Sequence, residues 1–414
     1  MSVPASPTLG AAGAPAPSGP LEAGTPAFRH ASLAMFLGGF ATFAMLYGTQ
    51  PMLPLLASVF DVSPAHASLS VSAGTGALAL SLIPASVLSD RYGREPVMKL
   101  ALALAAVIAL ASAAVTDFTT LLVLRALLGV VLAGLPAAAM AYLGEEVAPN
   151  AQGRAMGLYI AGNACGGMSG RFLAALVTEW GSWRLALVVL GVLGGIAAVV
   201  FWRGLPASRH FRARAATPMR ILRDALAIFR DAGLPWLFLT AFLIMGAFVG
   251  LYNYLGFRLQ GAPYNLGQIA TGSIFLLYLL GTWASAWVGR LADRFGRRNV
   301  LWMMVCLMGA GLALTLAEPL PLLVLGMGVF TFGFFATHTT ASGWVSRRAQ
   351  ERRALAAALY LSAYYLGGSV IGSAAGLAWS DAGWGGLVLL LGLGALLTLA
   401  LALWLRRIPQ VQAG

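Results

Sequence analysis

The sequence predicts an all-α membrane protein of twelve transmembrane helices in two pseudo-symmetric halves of six. Three observations carry this. First, 59% of the 414 residues are apolar and only 10% are charged, whereas a soluble globular chain carries about 25% charged residues. A bilayer-spanning helix needs roughly 20 apolar residues, which leaves room for about a dozen. Second, the stretch Ser89-Asp90-Arg91-Tyr92-Gly93-Arg94 returns as Ala292-Asp293-Arg294-Phe295-Gly296-Arg297. Aligning Asp90 with Asp293, 203 positions on, lays the first half of the chain over the second, the mark of a duplicated membrane bundle. Third, the basic residues fall in every second loop.

Residues 1–28 are rich in Ala, Pro, Ser and Gly, with Glu22 as the one acid and no base. They read as a disordered cytoplasmic tail. They lack the basic start and apolar core of a signal peptide, so the first helix is expected to insert the protein. Apolar spans follow at 31–54, 67–89, 97–115, 120–142, 155–177 and 184–203, then at 236–257, 267–289, 299–317, 320–343, 354–378 and 385–405. The halves are thus 29–203 and 236–407, with a short C-terminal tail at 408–414. Pro51 and Pro54 are expected to kink the far end of the first span. The linker, 204–235, contains an amphipathic stretch: Ile221, Leu222, Ala225, Leu226 and Phe229 share one helical face, and Arg220, Arg223, Asp224 and Arg230 the other. That pattern fits a helix lying on the inner membrane surface.

The loops set orientation. Those after even-numbered spans carry Arg91, Arg94 and Lys99, Arg154, seven arginines from Arg203 to Arg230, Arg290 to Arg298, and Arg347 to Arg353. Those after odd-numbered spans carry Asp61, Asp117, Glu179, Glu318 and Asp381 against Arg184 and Arg258. By the positive-inside rule both termini are cytoplasmic, in the inner membrane of a bacterium. The net charge of +12 therefore reports topology and not nucleic-acid binding, because no continuous basic face forms. Trp180, Trp183, Trp202, Trp236, Trp344, Trp379, Trp384 and Trp404 gather near span ends as interface anchors. Cys165 and Cys306 fall in separate apolar runs and read as free, buried thiols. No His, Cys, Asp and Glu cluster has metal-ligand spacing, and no G-x-x-x-x-G-K-[ST] occurs, so neither a metal, an ATP site nor any other cofactor is expected. No nucleophile–base–acid cluster suggests an enzyme.

The paired Asp-Arg-x-Gly-Arg turns, between spans two and three and spans eight and nine, resemble the signature loop of the major facilitator superfamily. The twelve spans, the six-plus-six repeat and the long central loop agree, over about residues 30 to 407. The resemblance implies two six-helix halves that rock around a central cavity to move a small solute, working as a monomer. The family's loop opens with Gly four residues before the Asp. Gly289 fits, and Ser86 stands there in the first half. The resemblance also implies that Asp90 faces the start of the eleventh helix. Asp90, Arg91, Gly93 and Arg94, with Glu145 and Glu146, and Asp293, Arg294, Gly296 and Arg297 in the second half, are then gate residues that hold the outward-open state. Two segments are similar to the family's efflux branch. Leu121 to Gly134 has the Arg-x-x-x-Gly pattern at Arg125 and Gly129, and Gly157 to Gly170 resembles its glycine-rich antiporter segment, without the usual proline. In the latter, Gly162, Gly166, Gly167 and Gly170 make a thin helix face for close packing.

None of the fourteen acids lies in the middle of a span. The charged or titratable groups left inside are Arg125, Arg171 and His338. An intramembrane Arg costs at least ~2.5–3.5 kcal/mol, so it faces a wet cavity or a partner. Arg125 serves function or snorkels to the surface. Arg171 binds a carboxylate or phosphate, or is tied to helix-end carbonyls. His338, among Thr337, Thr339 and Thr340, either couples transport to protons or is hydrogen-bonded between helices. Tyr47, Gln50, Asn163, Tyr252, Asn253 and Tyr254 complete the candidate cavity, and Tyr364 and Tyr365 are further candidates. The expected function is secondary active transport of a small, neutral or anionic organic solute, outward and in exchange for protons. Uptake of a sugar or organic anion by the same fold is the alternative.

Overall fold

A computed structural model describes residues 19–211 and 218–409. The expected tail up to residue 18, Arg212 and Arg214 of the linker, and residues 410–414 lie outside the described residues.

Helix boundaries follow local chemistry. α1 (Pro26–Val59) opens on Thr25, whose hydroxyl accepts the Phe28 amide at 3.2 Å. It breaks after Tyr47 into a short 3-10 turn, Gln50–Met52, at the two prolines. Pro51 has no N–H to donate and Pro54 restarts the helix. α2 (Pro64–Tyr92) is capped by Ser63. Gly93, at φ 102°, turns the chain into α3 (Arg94–Ala114); Gly296, at φ 80°, makes the same turn in the second half. Side chains rarely adopt these angles, so each signature loop needs its glycine. α4 (Phe118–Glu146) starts on Asp117, which accepts from Thr120 N at 2.8 Å. α5 is Pro149–Trp180, and α6 is Trp183–Gly204. The second half holds α7 (Leu234–Gln260), α8 (Gln268–Phe295), α9 (Arg297–Leu314) and α10 (Leu320–Arg348). α11 and α12 form one helical run, Arg353–Leu405, divided only by the kink at Ala382 and Gly383.

Among the described residues nine stretches are individually long and apolar enough to cross a membrane. The stretch from Gln350 to Leu405 counts once there although it holds two helices. α5 and α9 are long enough but more polar, α5 through its glycines and arginines and α9 through Arg297, Arg298 and Asn299. Together they make twelve. Large apolar side chains such as Leu80, Val107, Leu279 and Leu389 stand exposed on the outside, as a lipid-facing surface requires.

Two expectations need correction. Residues 19–28 are not a free tail. Leu21 pairs with the α4 end, its amide donating to Glu146 O at 2.7 Å and its carbonyl accepting from Ala148 N at 3.1 Å, and the helix begins at Pro26. An apolar side chain beside a helix end whose carbonyls lack partners explains the attachment. Cys165 and Cys306 are free, but neither is buried: Cys165 is half-buried and Cys306 is exposed because its side of α9 faces outward. In the linker helix, Pro218–Phe229, Met219, Leu222, Leu226 and Phe229 are exposed and Ile228 is the buried anchor. Phe229 meets Phe238 of α7 edge-on at 5.8 Å.

Within each half, small residues let backbones touch. A Cβ on Gly162, Gly166 or Gly170 of α5 would stand 2.2 Å from Phe36 O, 2.0 Å from Phe40 O or 2.5 Å from Ala44 Cα on α1. The fourth glycine of that segment, Gly167, lies off this seam. Between the halves, the hydrogen bonds joining their helices among the described residues cluster at one end, away from the signature loops. Ser373 Oγ meets Ser72 Oγ at 2.6 Å, Ser369 Oγ donates to Ser72 O at 2.8 Å, Ile269 N donates to Glu179 Oε2 at 3.1 Å and Gln268 Nε2 donates to Pro51 O at 2.5 Å. We call this the sealed end and the other the arginine-rich end.

Candidate functional site

The centre of the molecule is built where α1, α5, α7 and α8 meet. Arg171 of α5 is 3% exposed. Its Nε donates to Gln50 Oε1 at 2.5 Å, and its Nη1 donates to the carbonyl of Gly167 one turn back. Gln50 sits in the 3-10 turn that breaks α1, which aims its amide at the second half: Nε2 donates to Asn253 Oδ1 on α7 at 2.7 Å. The guanidinium lies over Tyr47 at 4.0 Å, Tyr278 at 5.1 Å and Phe275 at 5.4 Å from the ring centres. Contacts of this kind contribute about 0.5–2 kcal/mol each. Among the described residues Arg171 has no ion-pair partner and its Nη2 has no hydrogen bond. Tyr47 Oη, Tyr278 Oη and Asn253 Nδ2 are buried without partners.

A second cluster surrounds His338 of α10. Tyr360 Oη of α11 lies 3.0 Å from His338 Nδ1 and 3.3 Å from its backbone carbonyl. Tyr364 and Phe334 cover the imidazole at 4.6 Å and 6.3 Å. Rings connect the two clusters: Phe334 to Phe335 at 5.2 Å, and Phe335 to Tyr278 at 5.9 Å. On the other wall Tyr364 meets Tyr365 at 5.1 Å, and Tyr365 meets Phe43 at 6.4 Å. The interior is therefore lined by rings, with a cation at one side and an imidazole at the other, and we call this ring-lined centre the chamber.

The remaining candidates divide. Tyr252 belongs to the chamber wall: its hydroxyl pairs with Thr331 Oγ1 at 2.7 Å and its ring stacks on Phe275 at 5.4 Å. Arg125, Tyr254 and Asn163 do not face the chamber. Arg125 donates through Nε to Ser70 O and through Nη1 to Met45 O, both at 2.8 Å, and through Nη2 to Leu46 O. The α1 break leaves those last carbonyls without helical donors, and Arg125 fills the gap. It neither snorkels nor waits for a ligand. Its motif partner Gly129 lies where a Cβ would be 2.0 Å from Gly74 O, so the Arg-x-x-x-Gly pattern locks α4 onto α1 and α2. Tyr254 donates to Ser373 O at 3.3 Å in the sealed end and stacks on Trp379 at 6.1 Å. Asn163 packs over Gly39 in the α1–α5 seam. Tyr278, Phe275 and Tyr360 were not among the sequence candidates. A regular three-residue spacing of Phe275 and Tyr278 in a span holding Thr271, Gly272 and Ser273 was the available signal.

At the arginine-rich end, Asp90 pairs with Arg94. Arg94 also donates to Ser89 Oγ at 2.8 Å and meets Glu145 Oε1 at 3.2 Å. Glu146 turns instead to the linker and accepts the His210 amide at 2.8 Å. In the second half Asp293 lies 3.7 Å from Arg297 and 3.5 Å from Arg347, beside a cleft of about 450 Å³ that Arg298 and Arg348 also line. Arg91 and Arg294 rest on Tyr92 and Phe295, at 5.3 Å and 5.2 Å. The expected contact of Asp90 with α11 is not made among the described residues: its carboxylate is taken by Arg94, four residues along its own loop.

Comparison with known proteins decides the family. The profile described as Major Facilitator Superfamily matches residues 35–287 and 261–414. The chain belongs to the major facilitator superfamily. This facilitator is 43% identical over 385 residues to the uncharacterized MFS-type transporter YybF of Bacillus subtilis, covering 93% of this chain and 94% of that one. It is 41% identical over 366 residues to the inner membrane transport protein YnfM of Escherichia coli, covering 88% of each. Its fold is similar, at a TM-score of 0.76 and 16% identity, to a bacterial homologue of the human lysosomal transporter Spinster in an inward-facing, unoccupied conformation, covering 92% and 98% of the two chains. As a major facilitator protein it is a multi-pass membrane transporter and not an enzyme.

Proposed function

We propose that this facilitator exports a small organic solute across a bacterial inner membrane in exchange for protons, by alternating access between its halves. The observation that carries the reading is the Arg171–Gln50–Asn253 chain. It crosses from one half to the other at a buried, aromatic-walled centre, next to the sealed end and open to change by a ligand. The basic residues support a cytoplasmic arginine-rich end, and on that reading this state is the one that loads solute from inside. Asp90 and Arg94, paired within one half, are then a released gate, ready to meet α11 when the cytoplasmic end closes. We assign the proton step to His338 because it is the imidazole in the middle of a described span and the titratable side chains against it, Tyr360 and Tyr364, are phenols.

The test uses protein reconstituted in vesicles with an imposed pH gradient, a pH dye and radiolabelled solutes. Solute leaving the arginine-rich side while protons move the opposite way is the expected result, and His338→Ala is expected to flatten its pH dependence. Solute and protons travelling together toward the arginine-rich side would replace export by uptake, and the exchange reading would fall.

A further inference from the structure

The polar groups around Arg171 have one chemical bias. Asn253 Nδ2 is a buried, unused N–H donor and the hydroxyls of Tyr47 and Tyr278 are unpartnered, while the hydrogen bonds of Arg171 run through Nε and Nη1 and leave Nη2 to a ligand. No ionised acceptor faces them among the described residues. A guanidinium buried to 3% exposure, held by two neutral oxygens and three rings, lacks the counter-charge that burial demands. We propose that Arg171 takes the carboxylate of a small, apolar or aromatic organic acid, and that this carboxylate displaces Gln50 from Arg171 and so releases the Gln50–Asn253 bond between the halves. The inference rests on the alternating-access reading and gives it a substrate class and a trigger.

The geometry favours a monoanionic carboxylate. Two parallel N–H bonds from Nε and Nη2 suit its two oxygens, and Nε is the atom that Gln50 now occupies at 2.5 Å. A phosphate dianion would need a second cation, and Arg125 is committed to three backbone carbonyls. Tyr47, Phe275 and Tyr278 surround the charge with ring surface, which suits an apolar remainder. Once Gln50 loses the Arg171 proton donor, its amide no longer has a fixed orientation toward Asn253. The bond at the meeting point of the halves then weakens while the acid is bound. The bond from Arg171 to the Gln50 amide oxygen has one ionised partner, whereas a carboxylate supplies the second charge and a bidentate fit, so the exchange runs downhill at Arg171.

The experiment measures binding and opening on the same purified protein. Binding is read by calorimetry with matched acid, amide and amine on aliphatic, phenyl and indole skeletons, for example benzoate, benzamide and benzylamine. Opening is read by the spin-label distance between Val59→Cys and Leu316→Cys, two exposed sealed-end positions, with Cys165 and Cys306 replaced by serine. At least one acid is expected to bind about tenfold or more tightly than its amide and amine. Arg171→Ala is expected to remove that preference, and Arg171→Lys to recover only part of it. Gln50→Glu, which places a carboxylate beside Arg171 within the chain, is expected to abolish acid binding while the protein stays folded by its melting curve. The acid, or Gln50→Ala without acid, is expected to lengthen the label distance. If amides or amines bind and open the sealed end but no acid does, the carboxylate assignment is overturned while alternating access stands. If an acid binds through Arg171 and neither it nor Gln50→Ala changes the label distance, the trigger is overturned, and the vesicle assay decides separately whether alternating access stands.

Discussion

At the scale of single residues, two buried arginines of the same type have opposite tasks. Arg125 spends its donors on the carbonyls of Met45, Leu46 and Ser70. Replacing it with Met leaves those groups unpaired at a buried site, and each costs about 1–3 kcal/mol. Arg125→Met is therefore expected to lower stability on the order of 3 kcal/mol, seen as a drop in melting temperature, with solute affinity kept in the fraction that folds. Arg171→Ala is expected to show the reverse: near-normal melting and lost binding. Sequence alone left both arginines with two readings each, because the residue type is the same and the pattern does not say which groups each side chain meets. What separates them is where α1 breaks. Pro51 and Pro54 made the break legible, but its carbonyls found Arg125 only through the packing of α4 on α1. Gln50 and Asn253 were both legible as polar groups inside spans. Tyr278 and Phe275 were not, since an aromatic in an apolar run looks the same whether it faces lipid or a cation.

Helices bring their own tests. The α5 seam makes position matter more than residue type. Gly166→Val would drive a side chain into Phe40 O, 2.0 Å from the Cβ position, whereas Gly157 has nothing within 4 Å. Gly166→Val is expected to cost at least about 1–3 kcal/mol and to reduce the folded yield in detergent. Gly157→Ala is expected to change neither. The glycine-rich run was readable as a packing face, but which of its members touch α1 depends on helix phase, and Gly167 falls outside that phase. The start of α7 has a charge test. Burial works against the Asp231 carboxylate, but the Arg348 side chain and the amides of Gly233 and Leu234 outweigh it, holding the carboxyl below its ordinary range. Arg348 Nε donates to it at 2.5 Å and both amides at 2.8 Å. A folded value below the unfolded one stabilises the protein at neutral pH. That stability is lost as the pH falls below about 4 and through the lower folded value. The melting temperature of Asp231→Asn is expected to fall less across that acid window than that of the wild type, and an identical acid loss in both would refute the role.

For the whole molecule, the repeat of Asp90 at Asp293, the apolar spans and the loop charges made the two-half fold legible. The state was not legible, because one set of residues must serve both the sealed and the open arrangement. Only the folded arrangement brings Ser72 against Ser373, with 2.6 Å between their hydroxyl oxygens. The pair Ser72→Cys and Ser373→Cys is expected to form a disulfide across the sealed end, to stop transport, and to regain it on reduction. Unimpeded transport by the cross-linked protein would show that α2 and α11 need not separate there. The Gln50–Asn253 bond spans 203 positions, the same offset that relates Asp90 to Asp293, so each residue touches its own counterpart in the repeat. In an ancestor made of two identical subunits, one codon would have occupied both sides of that contact, and no substitution could have changed one partner alone. Fusion of the two copies freed them to differ. Arg171, whose counterpart in the second half is Ala374, shows what that freedom permits: a charged, one-sided pocket beside an axis that once treated both sides alike.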